Sequence, residues 1–533
     1  MRRWNGWGDE SIELALDAPA LVFLRERVGA AQPIRDATLA EVCAQIGPSR
    51  LPPQRSVATA SEARLRCALG QSLPDWLMLR YGRLGAVPDG VAYPESSEEV
   101  RELLDFAQAC GASVIPYGGG TSVAGHLTVP AGERPVLSVN LARLSRLIEL
   151  DRLAQLARFG AGVAGPDLEA QLRAQGYTLG HFPQSFEYST LGGWIATRSS
   201  GQQSLRYGRI EQLFAGGRVE TPGGTLLIPT FPASAAGTDL REMVLGSEGR
   251  LGILTEASVR VTPLPEREAF HAAFFPDWAS AEIAVRAMVQ ARLRLSMLRL
   301  SNATETETTL RLAGHAQRVG LLRRYLALRG CGSEMCLLLF GASGRSKEVA
   351  AAVAQALCLA RAQGGVHLGH RLGEKWKQNR FRGVYLRNTL WREGYAVDTA
   401  ETAVDWPRVA ATMRAIEQAA SDALAAQGER LHVYTHLSHL YAQGASVYST
   451  FIWRLARDYD ADLARWRALK AAVSAAIVAH GGTISHQHGV GSDHAPYLAA
   501  EKGALGLGAM RALFGHFDPQ GVMNPGKLLP PNA

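Results

Sequence analysis

The spacing of apolar and polar positions changes several times along the chain, and each change marks a structural unit. Residues 1–85 mix helical periodicity with Pro-rich breaks such as Leu51-Pro52-Pro53, which predicts an N-terminal helical extension. Regular α/β patterning follows. Ser96 and Glu99 form a capping box ahead of Val100, Leu103, Leu104 and Ala107, so a helix starts there and Gly111 ends it. The apolar runs Ser113-Val114-Ile115, Val136–Val139 and Leu156–Phe159 read as strands, and Asp167 to Gln175 as a helix closed by Gly176. From about residue 266 the texture changes again. Ala269–Phe275 reads as a strand, Ser280–Arg292 as a helix and Met297–Leu300 as a strand, and the order repeats as Met335–Phe340, Ser346–Ala362 and Val366–Leu368. Two β-α-β units in tandem predict an antiparallel, ferredoxin-like layer. A long amphipathic helix carries Leu463, Trp466, Leu469, Val473 and Ile477 on one face and ends at Gly481-Gly482, ahead of a polar, His-rich loop.

With 533 residues, 47% of them apolar and 20% charged, the chain is a globular protein of two or three domains. The 56 Lys and Arg against 49 Asp and Glu give a net charge of +7 with no dense basic tract, which argues against nucleic acid as a partner. Six cysteines (Cys43, Cys67, Cys110, Cys331, Cys336 and Cys358) contain no C-x-x-C pair, so neither a disulfide framework, a structural zinc nor an iron–sulfur cluster is expected. Reduced cysteines suit a cytoplasmic compartment. Met1-Arg2-Arg3-Trp4 has no apolar stretch behind it, and no run approaches the ~20 apolar residues of a membrane span. Membrane contact, if any, is expected to be peripheral.

Three loops rich in glycine and hydroxyls carry the candidate chemistry. The first runs from Pro116 through Gly118-Gly119-Gly120-Thr121-Ser122 to His126, directly after a strand. Such a loop either makes a tight turn or lets backbone N–H groups approach an anion, and it matches neither G-x-G-x-x-G nor the Walker pattern. Residues 184–201 form the second loop and residues 246–254 the third. Three of them in one stretch point to an extended ligand with many polar contacts, such as a dinucleotide.

These loops resemble the FAD-binding domain of the vanillyl-alcohol oxidase superfamily, and within it the alkylglycerone-phosphate synthase family. The resemblance rests on the triple glycine, on Ser185-Phe186-Glu187-Tyr188-Ser189-Thr190 with Gly192-Gly193-Trp194, on Thr197-Arg198-Ser199-Ser200-Gly201 and on Glu248-Gly249-Arg250-Leu251-Gly252-Ile253, and it extends to Trp4-Asn5-Gly6-Trp7-Gly8. It covers the chain from Trp4 to Leu529. It implies an α+β fold: a two-subdomain FAD-binding domain of vanillyl-alcohol oxidase type, an antiparallel-sheet, ferredoxin-like cap and the N-terminal helical extension. The expected boundaries are 1–85 for the extension, 86–265 for the FAD-binding domain, 266–478 for the cap and 479–533 for a return to the FAD domain that carries the His loop.

By the same resemblance the flavin contacts are Pro116, Tyr117, Gly118, Gly119, Gly120, Thr121 and Ser122; Gln184, Ser185, Phe186, Glu187, Tyr188, Ser189 and Thr190; Thr197, Arg198, Ser199 and Ser200; and Glu248, Gly249, Arg250, Leu251, Gly252, Ile253 and Leu254. Arg299 and Arg387 match substrate-site arginines, and Tyr448 matches an active-site tyrosine. His486-Gln487-His488 falls where the family carries three histidines. Covalent flavins in the superfamily hang from a His in a G-G-H loop; Gly120-Thr121-Ser122 stands there instead, so non-covalent FAD is expected.

The side-chain chemistry is compatible with those roles. An arginine fork suits phosphate or carboxylate, though either arginine could equally form an ion pair. Tyr448 on the strand Val447–Phe451 could also be core. His486 and His488, as catalytic candidates, would share one face if their segment is extended, with Gln487 opposite. His486, His488 and His494 lack an acidic or Cys partner at ligand spacing, Asp493 being the nearest and expected to face solvent, so no metal is expected. His432, His436 and His439 read as a strand beside a pocket, and a spacing of three keeps the last two off a common face.

The function implied is redox-neutral exchange of the acyl chain of acyl-dihydroxyacetone phosphate for a fatty alcohol, in ether-lipid synthesis. The alternative is an FAD-dependent dehydrogenase or oxidase of a 2-hydroxy acid or glycerol-phosphate-like alcohol, because Asp518 to Leu528, with Asn524-Pro525-Gly526-Lys527, resembles the 2-hydroxyacid dehydrogenases equally well. A non-enzymatic flavin- or lipid-binding protein is the third reading, motivated by Gln487. A small-molecule or lipid substrate, a cytoplasmic or membrane-associated location and a homodimer complete the expectations.

Overall fold

The strands expected between residues 113 and 160 divide between two sheets in the computed structural model, which describes residues 1–312 and 316–529. Ser113–Tyr117, Val136–Asn140 and Gly90–Ala92 are parallel neighbours, and Val57–Ala58 adds an antiparallel edge. That edge strand lies inside the segment expected to be a helical extension; four helices do occur before residue 85, the last being Leu73–Tyr81. Leu156–Gly160 belongs instead to a five-stranded antiparallel sheet with Leu147–Asp151, Ile253–Arg260, Phe214–Thr221 and Gly224–Ile228.

The helix Ser97–Ala109 buries Val100, Leu103, Leu104 and Ala107 against Val114, Leu137 and Val139. Ser96 Oγ accepts from the Glu99 amide at 3.1 Å as expected, but the capping box is not closed: Glu99 accepts from the amide of Glu95 at 2.8 Å instead of that of Ser96.

The two tandem β-α-β units form a continuous antiparallel layer. Its strands run Val366–His367, Arg267–Phe275, Cys336–Gly344, Met297–Ser301, the 4-1-3-2 order of a ferredoxin-like unit. His432–Leu440, Gly444–Arg454 and Tyr395–Asp405 extend the layer to seven strands, all antiparallel. The last of these has no apolar alternation in its sequence, because Asp398, Glu401 and Thr402 occupy buried positions. The long helix Tyr459–Ala479 buries Leu469, Val473 and Ile477. After the helix Leu498–Phe517 the chain returns to the first sheet, where Val114 donates to the Val522 carbonyl and accepts from the Asn524 amide, both at 2.8 Å. Among the described residues no helix is long and apolar enough to cross a membrane.

Candidate active site

Strand Ser113–Tyr117 delivers the chain into the glycine loop, and none of the backbone amides of Gly118 to Ser122 donates to another group among the described residues. A row of unpaired N–H groups at a strand end is suited to cradle an anion. It admits no side chains: a Cβ on Gly119 would strike the Tyr188 carbonyl, and Gly120 sits at φ +61° with Tyr117 where its Cβ would point. Pro116, Gly118 to Ser122, Ser185, Ser189, Thr190, Thr197, Ser199, Glu248, Gly249, Gly252 and Leu254 all line one cleft at this cradle. These donors, with an apolar floor, fit a flavin dinucleotide.

The other residues expected at the flavin have side chains engaged elsewhere. Tyr117 donates to the Arg66 carbonyl, Gln184 to the Arg380 carbonyl, and Arg198 to Glu242 and the Leu245 carbonyl. Phe186 packs between Phe182 and Phe381; Tyr188 packs on Trp7; Glu187 lies near Tyr385. Ser200 bonds His439, Arg250 bonds the Met523 carbonyl, and Leu251 and Ile253 are core.

Four further lining residues, His126, Trp194, Ser247 and Asn524, lie in the loops and turn that the sequence marks but are not among the residues expected individually as cofactor contacts. Glu248, at φ +52°, is a clasp: its carboxylate accepts from the amides of Val490 at 2.5 Å and Gly491 at 2.8 Å, and lies 3.1 Å from His126 Nε2. Asn524 Nδ2 donates to the Glu248 carbonyl at 2.7 Å, and Lys527 donates to the Thr128 carbonyl at 2.7 Å. The Asn-Pro-Gly-Lys turn therefore binds backbone through Asn524 Nδ2 and Lys527 and closes the cleft, leaving the Asn524 Oδ1 without a partner.

Behind the cleft stands the face of the seven-stranded sheet. Glu401, Tyr448 and His436 are abreast on three adjacent strands. His436 stacks on Tyr448 with ring centroids 4.8 Å apart. Burial, reinforced by Glu401, pushes the Tyr448 phenol up to about 12. Arg299 is ion-paired with the buried Glu305 at 2.7 Å, and Glu305 also lies 3.0 Å from His436 Nδ1. Against the cost of burial, His436 and Arg299 hold the Glu305 carboxyl far below its usual range. Arg387 lies over the Trp76 ring at 4.1 Å, donates to the Gln71 carbonyl through Nη1, and keeps a solvent-shielded Nη2 without a partner. Burial lowers it to about 10, so it stays a cation. Tyr448 feels both arginines electrostatically.

The His loop departs from expectation. Residues 486–488 are a series of bends, not an extended segment, so Gln487 lines the cleft beside His488 instead of facing away. His486 is buried elsewhere, with Nδ1 3.1 Å from Glu401 and Nε2 2.6 Å from both Tyr441 Oη and Arg209. His488 sits edge-on to Tyr448 at 5.7 Å, and burial lowers its basicity against the pull of Glu401. An irregularity in the ladder between Leu437 and Leu440 brings His439 round, so that both His436 and His439 feel Glu401 despite their spacing. Asp493 does not face solvent: its Oδ2 is shielded and unpartnered, and burial raises its carboxyl. Glu401, His439 and His486 are the group of metal-capable side chains among the described residues, with atoms within 4.8 Å of one another. The Arg209 guanidinium on the same His486 ring opposes a cation there.

Two family models match in sequence: an FAD binding domain over residues 88–228, and the C-terminal domain of FAD linked oxidases over residues 264–528. Alkyldihydroxyacetonephosphate synthase of Dictyostelium discoideum is 32% identical over 475 residues, covering 88% of this chain and 77% of that one. The chain belongs to the alkyldihydroxyacetonephosphate synthase family. Another member, from Trypanosoma brucei brucei, is 29% identical and is covered over 92% of its length by 99% of this chain. A solved alkyldihydroxyacetonephosphate synthase structure superposes with a TM-score of 0.83 at 26% identity, over 98% of both chains. Family membership settles the cofactor class: the protein is an FAD-dependent enzyme of this α+β fold, and the cradle of free amides is where the family's FAD-binding domain lies.

Proposed function

We propose that this enzyme exchanges the acyl chain of acyl-dihydroxyacetone phosphate for a fatty alcohol, with no net redox change. The observation that carries the reading is Arg387, a buried cation with an unpartnered Nη2, close enough to Tyr448 to feel it electrostatically. When bound, FAD supplies the electron-pair chemistry that lets one oxygen substituent leave carbon and another enter. The chain's residues do the rest. Arg387 holds the phosphate; Arg299, whose charge is shared with Glu305, assists at the rim. Tyr448 keeps its proton at neutral pH and donates a hydrogen bond to the oxygen that departs or arrives. His488, neutral in its buried setting, accepts the proton that the reacting carbon loses.

The expected contacts of Gly118 to Ser122 and Glu248 to Leu254 with a non-covalent FAD belong to this proposal, as do the four-part domain division, a peripheral membrane contact suited to acyl substrates, and a homodimer in the cytoplasm. The dehydrogenase alternative loses its main motive, because Asn524 and Lys527 bind protein carbonyls. The test is product formation. FAD-loaded protein given acyl-dihydroxyacetone phosphate and hexadecanol, under argon, should yield the alkyl ether ketone phosphate by mass spectrometry. Turnover of a 2-hydroxy acid in its place, with an acceptor consumed, would contradict the reading.

A further inference from the structure

Glu401 is an acid that neither composition nor motif singled out, and its carboxylate is wholly enclosed although it stands on Tyr395–Asp405, an edge strand of the sheet. A charge in that position persists only if partners replace water. Oε1 has them: His486 Nδ1 at 3.1 Å and Ser438 Oγ at 3.0 Å. Oε2 has no hydrogen-bond partner, and the nearest cationic candidate is His488 Nε2 at 3.8 Å.

The neighbours fix which histidine is free to act. His486 Nε2 faces two donors, Arg209 Nη1 and Tyr441 Oη, each at 2.6 Å, so its lone pair is occupied there and its proton is on Nδ1, donated to Glu401. Both ring nitrogens are spoken for. His486 is a strap on the carboxylate, not a proton carrier. His488 has no such restraint and lines the cleft.

We propose that Glu401 is a positioning residue for His488: its Oε2, 3.8 Å from Nε2 in the structure, draws in to accept from Nε2–H once substrate is bound, which turns the Nδ1 lone pair toward the reacting carbon and stabilises the imidazolium that forms. The proposal rests on the synthase reading above, in which His488 takes that proton. In the step, the C–H bond breaks, its electron pair stays with the carbon, and the proton goes to Nδ1; it is returned after the alcohol has added. The His488–Glu401 pair passes from a net charge of −1 to 0. Other groups facing His488 are Tyr448 from the adjoining strand, His494 and His486 from its own loop, Asp398, and Lys470 from the helix Tyr459–Ala479. Lys470 opposes protonation, but it lies 3.5 Å from Asp398 and donates to the Thr399 carbonyl, so its charge is largely matched. Glu401 is left to set the basicity.

Three proteins test this: Glu401→Gln, Glu401→Asp and the parent. Carbethoxylation of His488, followed against pH by peptide mass spectrometry before and after FAD loading, reads the basicity of the ring without using activity. Removing the carboxylate should move the midpoint to lower pH by about one unit. With acyl-dihydroxyacetone phosphate and hexadecanol, Glu401→Gln should lower kcat by about a hundredfold while KM changes less than about threefold, and the acid limb of the kcat profile should follow the midpoint downward. Glu401→Asp should recover part of both. An unmoved midpoint, or a kcat loss uniform across pH and not relieved by Asp, would overturn the proposal. Were the parent to make no alkyl ether at all, the synthase reading would fall, while the carbethoxylation midpoint would still decide whether Glu401 governs His488.

Discussion

The glycine-lined cleft and the buried face of the seven-stranded sheet are built by opposite means. The cleft is backbone: a run of contiguous glycines and hydroxyls whose unpaired amides recognise charge by geometry. The sheet face is side chains: Glu401, Tyr448, His436, Glu305 and Arg299 come from separate elements and pay each other's desolvation through ion pairs. A backbone site tolerates changes at most side chains and fails at a glycine. A buried charge network fails when any one partner is removed, and it fails in a pH-dependent way.

That contrast can be broken at its strongest point first. Gly119→Val places carbon against the Tyr188 carbonyl, so the loop must shift and the purified protein should carry less than about a tenth of the parent's flavin, measured by absorbance after gel filtration. A fully loaded variant would mean that the loop is a turn and not the cradle. Tyr448→Phe should come next, with kcat down about a hundredfold and flavin content unchanged. Arg387→Ala should raise KM for the phosphate substrate by about thirtyfold with a lesser effect on kcat, since a charge-assisted hydrogen bond contributes about 2 kcal/mol. Equal loss in both parameters would take the phosphate away from that arginine.

Stability against pH sharpens the same comparison. Burial lowers His181, His439 and His494 to about 3 each, well under their ordinary value of 6.5. A folded value below the unfolded one means that the unfolded chain takes up protons first, so stability is full above pH 6.5 and falls as pH drops below it. Glu305 and Glu401 are likewise depressed, by His436 and by His486 respectively working against burial, and withdraw their contribution below about pH 4.5. Tm should therefore decline from pH 6.5 downward and steepen below 4.5, and His439→Asn should flatten the upper part. The smallest effect is expected at Gln487, which lines the cleft beside His488: Gln487→His should change kcat by less than about fivefold, as a position that can hydrogen-bond but carries no proton here.

How much of this was legible follows from the same division. The glycine loops are contiguous, so Gly118 to Ser122 could be read directly, and the tandem β-α-β pattern gave the ferredoxin-like order. Glu401 could not be read, because the strand Tyr395–Asp405 holds acids and threonines where apolar alternation would mark a strand. Glu305 was hidden for a related reason: it belongs to a short helix and gains meaning only where Arg299 and His436 converge on it. His486 was legible as a residue but not in its role, since the bend after it and the approach of Arg209 and Tyr441 are tertiary facts. The Trp76 ring under Arg387 comes from a helix far earlier in the chain, and no local pattern joins the two.

The most direct test of the account is anaerobic. FAD-loaded protein is mixed with acyl-dihydroxyacetone phosphate alone, and the freed fatty acid is counted per flavin while the flavin spectrum is followed. One equivalent released with no external acceptor, and oxidised flavin recovered once hexadecanol is added and the ether formed, is the predicted result. No release, from a flavin that a 2-hydroxy acid bleaches and leaves reduced, would contradict it.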